Sequence, residues 1–230
     1  MFYFDPLYFV VMLPVMGLVL FAQYRVKSTF SKFAQVPNHR GMTGAQVATD
    51  ILRSNNLYDV PVEHIPGQLS DHYDPRSRTL RLSDSVYGST SVAATGVAAH
   101  EVGHALQHAR GYVPLQLRSA IVPVANFGSM LGPIMLFAGI LIGVTGLAWA
   151  GIAAFAAGTL FALVTLPVEF NASSRAMQQL TNLGIVDRTE YDQSRKVLNA
   201  AALTYVAGFV AAFVQLLYYI SIVAGMRRDD

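Results

Sequence analysis

The sequence predicts a mainly α, multi-pass membrane protein with about four transmembrane helices and a small polar α+β section. Three observations carry this. Hydrophobic residues make up 53% of the 230-residue chain and charged residues only 13%, against about 25% charged in an ordinary soluble domain. The deficit is concentrated, because residues 119–168 hold no charged residue and no histidine, which is long enough for two spans. Two further apolar runs lie near 6–24 and 201–225.

Taken in order, 6–24 is transmembrane helix 1. Asp5 precedes it and Arg25, Lys27 and Lys32 follow, so it lacks the basic start and small-residue cleavage pattern of a secretory signal. Residues 25–118 are a polar section that opens as a basic linker. Thr43 caps a short helix near 44–55, with Ala45, Val47, Ile51 and Leu52 on its apolar side. Val60–Ile65 reads as a strand, 71–78 as a turn, and the alternating 79–83 as a second strand. A helix from about 92 to 109 starts after Ser89, Thr90 and Ser91 and closes at Gly111. Residues 119–143 and 147–168 form a transmembrane hairpin turning near Gly143–Gly151, with Gly132 and Pro133 as a kink point. Residues 169–199 are mostly helical and break near Gly184; 201–225 is transmembrane helix 4.

Composition excludes several chemistries. There is no cysteine, so disulfide frameworks, thiolate zinc sites and cysteine nucleophiles are out. A net charge of +2 gives no footprint for nucleic acid. The spans are uncharged, whereas transport paths carry ionisable groups at membrane depth.

The 92–109 helix carries His100-Glu101-Val102-Gly103-His104. Histidines four apart share one helix face about one turn apart and can hold one ion. Glu101, beside the first, can reach a metal-bound water without being a ligand. Zinc lowers the pKa of such a water to about 7, and a neighbouring carboxylate takes its proton as it attacks a carbonyl. A catalytic zinc wants three protein ligands and one open position. No histidine follows His108, so a downstream third ligand must be Glu169, Asp187, Glu190 or Asp192. Glu169 is favoured, because a two-span hairpin returns the chain to the face it left. His39, His64 and His72 are the upstream alternatives. His108 shares the helix face but lies about 12 Å along the axis from His100, too far to share the ion, and is expected at the surface or supporting a ligand from behind. His72 is also a candidate substrate-side group, Arg175 and Tyr191 are candidates for stabilising the oxyanion, and the edge of strand 79–83 is a candidate for pairing with an extended peptide.

The string His100-Glu101-Val102-Gly103-His104-Ala105-Leu106-Gln107-His108, with Glu169-Phe170-Asn171-Ala172-Ser173-Ser174-Arg175-Ala176 after the hairpin, resembles the "putative neutral zinc metallopeptidase" family of bacterial membranes, the YugP-like proteins. More distantly it is similar to the HtpX-like and CAAX prenyl proteases, which are gluzincins. The resemblance implies a zincin-like section, zinc as cofactor, and Glu169 in the place of the ligating Glu of a Glu-x-x-x-Asp motif. Ser173 stands where those relatives have Asp, which implies a weaker support for a ligating histidine.

The expected activity is therefore zinc-dependent peptide-bond hydrolysis with His100, His104 and Glu169 as ligands and Glu101 as general base. The expected partners are the lipid bilayer and a peptide or protein substrate, one associated with the membrane included. A non-hydrolytic metal-binding scaffold or chaperone is the alternative, against which Glu101 argues, since a structural site needs no base. Fourteen of the sixteen Lys and Arg residues fall in 25–118 and 169–199, with Arg227 and Arg228 opposed. By the positive-inside rule the metal site faces the cytoplasm.

Overall fold

The computed structural model describes residues 6–226; Asp5, Arg227 and Arg228, used above for signal and orientation, lie outside them. The described chain is mainly α, with six helices and a three-stranded sheet. Four helices are long and apolar enough to cross a membrane: α1 (Pro6–Phe33), α4 (Val113–Leu141), α5 (Thr145–Asn182) and α6 (Arg188–Met226). The chain forms two compact units, one of residues 6–22, 116–167 and 204–226, the other of 23–115 and 168–203.

In the first unit the α4–α5 hairpin is zipped by small residues. A Cβ at Gly128 would strike the Ala154 carbonyl, and one at Gly132 the Gly151 carbonyl. Backbones can approach this closely only where side chains are absent, the usual device when lipid removes any hydrophobic drive between helices. The turn is confined to 142–144, with Gly143 at φ 71°. The expected turn region therefore shrinks, and Gly151 belongs to the helix contact. The large side chains face outward: Phe127, Ile134 and Phe137 are 65%, 60% and 54% exposed, an apolar surface of the kind a membrane-crossing helix presents.

The second unit has a conventional core of Val47, Ile51, Leu52, Leu80, Leu82, Val102, Leu106, Leu180 and Ile185. Helix α1 continues to Phe33 where a linker was expected from residue 25. The segment holds no Gly or Pro to stop it, and Phe33 is buried with Ala93 and Val197. Helix α2 (Gly44–Ser54) starts on a capping box: Gln46 N–H donates to Thr43 Oγ1, and Thr43 N–H to Gln46 Oε1.

The strands are β1 (Val62–Ile65), β2 (His72–Asp74) and β3 (Thr79–Ser83), in the order β1-β3-β2. β1 runs parallel to β3 and β2 antiparallel to it. This corrects two expectations. Part of 71–78 is a strand, its turn reduced to 75–78. The strand 79–83 is central and paired on both sides, so it has no free edge for a peptide. Leu80 and Leu82 are fully buried, which holds β3 between its neighbours.

Helix α3 (Val92–Ala109) begins on Ser91, whose side chain accepts from Ala94 N–H at 3.1 Å, and stops at Gly111 with φ 61°. Its Ala- and Gly-rich surface lets other helices approach closely. A Cβ at Gly103 would overlap the Ala172 carbonyl of α5. That contact sets α5 against α3 one turn from residue 169. A capping box also opens α6: Glu190 N–H donates to Asp187 Oδ1, and Asp187 N–H to Glu190 Oε2.

Candidate metal centre

The His100 and His104 side chains leave α3 on the face that meets α5, and Glu169 leaves α5 two residues past Pro167. The rings stand edge to face, centroids 4.8 Å apart. His100 Nε2 lies 3.3 Å and His104 Nε2 3.6 Å from Glu169 Oε2. One ligand atom from each of the three residues falls within a 4.8 Å span. Side-chain exposure is 14%, 11% and 3%, so the group sits just beneath the surface.

The other ring nitrogens are anchored. His100 Nδ1 is 3.1 Å from Ser173 Oγ. His104 Nδ1 is 3.0 Å from Gln107 Oε1. Gln107 in turn donates to Val168 O at 2.7 Å and to Asn171 Oδ1 at 3.1 Å. Arg175 Nε donates to the same Asn171 oxygen at 2.7 Å, with its guanidinium 5.8 Å from the Tyr112 ring centroid.

Burial by itself would push the His104 pKa down. The hydrogen bond to Glu169 and the charges of Glu101 and Glu169 outweigh it, leaving His104 above the ordinary histidine value. Glu101 is 8% exposed. No hydrogen bond to its carboxylate occurs among the described residues, and its charge acts on His104.

The remaining expected residues fall elsewhere. His108 hydrogen-bonds Tyr73 Oη at 2.8 Å, linking α3 to β2. His72 is exposed and donates to Ser70 O. His64 pairs with Asp84 at 2.6 Å. His39, Asp187 and Glu190 form a separate group at the start of α6. Arg175 reaches the metal group only through Asn171 and Gln107. Tyr191 packs on the core and, with Ser173 and Arg195, borders a groove of about 500 Å³ between α5 and α6. Asp192 lines a shallow depression on α6. Gln107 and Asn171 were not anticipated. The available signal was spacing, since Gln107 follows His104 by three positions on one helix face.

Two imidazoles and a carboxylate form a donor set suited to zinc. In a tetrahedral site with bonds near 2.0–2.1 Å, ligand atoms lie about 3.3–3.4 Å apart. The separations of 3.3 and 3.6 Å to Glu169 match that edge, so the residues fit the ion.

Fold and site thus define a helical protein with four helices able to cross a membrane and a His-His-Glu group that could hold a metal ion. The chain belongs to the family described as "Putative neutral zinc metallopeptidase", whose model matches residues 8–224. It is 47% identical over 215 residues to "Putative membrane protease YugP" of Bacillus subtilis (strain 168), covering 94% of this chain and 96% of that protein. No solved structure matches the chain.

Proposed function

We propose that the chain is a membrane-embedded zinc metalloendopeptidase of gluzincin type, with His100, His104 and Glu169 as metal ligands and Glu101 as general base. The observation that carries this is the convergence of both Nε2 atoms on one Glu169 oxygen while both Nδ1 atoms are held by other side chains. Zinc held there would supply Lewis-acid activation of water and of the scissile carbonyl. Glu101 takes the proton from the attacking water and later delivers it to the leaving amine. Its carboxylate, beside His104 and tied up in no hydrogen bond among the described residues, suits that exchange. Ser173 holds the His100 ring from behind.

The purified protein with candidate peptides tests this, wild type against Glu101→Gln, with zinc content measured in both. The variant should lose about 10²–10⁴-fold in turnover and keep its zinc. Near-normal turnover would remove Glu101 from its role. A zinc-loaded wild type that cleaves nothing would favour a metal-binding scaffold.

The substrate is a peptide or protein at the membrane, and the relative's name, a membrane protease, agrees with that setting. The site faces the cytoplasm, on the strength of the basic residues in 25–118 and 169–199. An alkaline phosphatase fused after Asp230 should then be active and a fluorescent protein fused there dark; the reverse would put the site outside.

A further inference from the structure

We infer that Gln107 is a positioning residue for this centre: it fixes which nitrogen His104 offers the metal and ties that ring to the helix that delivers Glu169. The inference rests on the zinc reading above. Gln107 is 0% exposed, so its carboxamide must satisfy every polar atom within the protein.

The orientation of that carboxamide follows from its neighbours. Arg175 has only donors, so the Asn171 atom its Nε meets at 2.7 Å is the oxygen Oδ1. Gln107 therefore faces two acceptors, Asn171 Oδ1 and Val168 O. Flipping the amide would set its oxygen against two others. The NH₂ group must point there, which leaves Oε1, an acceptor, 3.0 Å from His104 Nδ1. In the neutral ring, Nδ1 then carries the proton, and Nε2, beside Glu169, keeps its lone pair for the ion. Ser173 imposes no such choice on His100, because a hydroxyl both donates and accepts. The bond to Val168 O adds a second function, for Val168 immediately precedes Glu169. One carboxamide thus registers α3 on α5 where the two ligand-bearing helices meet.

The test uses the full-length protein and two variants, Gln107→Met, which keeps length without hydrogen bonds, and Asn171→Ala. Zinc Kd is measured by chelator competition, and the visible d–d absorption is recorded for protein saturated with cobalt(II). Gln107→Met should raise the zinc Kd about 10–100-fold and alter the saturated cobalt spectrum. Asn171→Ala should act in the same direction but less, and the double variant should match Gln107→Met alone. A purely structural role would lower the melting temperature of the metal-free protein and leave the saturated spectrum unchanged. Wild-type Kd and spectrum in Gln107→Met overturn the inference; if that variant does not fold, the same result in Asn171→Ala does so. A wild type that binds neither metal would sink the zinc reading and this inference with it.

Discussion

Two places in the unit of residues 23–115 and 168–203 have nearly the same inventory and different physics. His100, His104 and Glu169 form one group; His39, Asp187 and Glu190 form the other. In the second, Glu190 is occupied by the helix start. Its Oε1 accepts His39 N–H at 2.5 Å, and its Oε2 accepts Asp187 N–H at 3.1 Å and pairs with His39 Nδ1 at 2.6 Å. Those are the bonds of a capping box with a loop tied to it. In the first group the histidines anchor Nδ1 on Ser173 and Gln107 and turn Nε2 to the carboxylate. Both groups bring three donor atoms within 4.8 Å of one another, so proximity alone does not separate them. The partners behind the donors do.

Ser173 offers the larger test of that contrast. Ser173→Ala removes the contact at His100 Nδ1, and the zinc Kd should rise about tenfold or more. Ser173→Asp should be tolerated and tighten binding, because a carboxylate there would hold the Nδ1 proton more strongly. Loss of zinc in the Asp variant would show that the position cannot place a carboxylate on the ring.

A smaller effect concerns pH. In the metal-free protein His104 is raised above its ordinary value of 6.5. A raised histidine stabilises the fold fully below its unfolded pKa, and that contribution is lost as pH rises through the folded value. Zinc must displace the same proton, so its binding strengthens over the same window. The rise in melting temperature caused by zinc should therefore grow from pH 6 to pH 8. Larger zinc stabilisation at the acid end would contradict the assignment of His104 as ligand.

The sequence disclosed what depends on near neighbours. The helix at 92–109 was legible from its cap residues up to Ser91 and from Gly111, and the spans from composition alone. Glu169 was reachable because a hairpin constrains where the chain returns. The sheet order was not legible: β1 joins β3 in parallel across the intervening β2, a non-local pairing that leaves no local pattern. The continuation of α1 past residue 25 depended on the absence of a breaker and on burial of Phe33, and basic residues masked both. Nothing in the sequence singled out Gln107, because its partners Val168 and Asn171 lie 61 and 64 positions away.

Zinc content in two single variants tests the central claim most directly. Wild type and Glu190→Ala should each hold a single zinc per chain, with Glu190→Ala destabilised by about 1 kcal/mol through its lost cap. Glu169→Ala should lose the metal under the same dialysis. Zinc kept in Glu169→Ala and lost in Glu190→Ala would move the centre to the start of α6 and contradict the account.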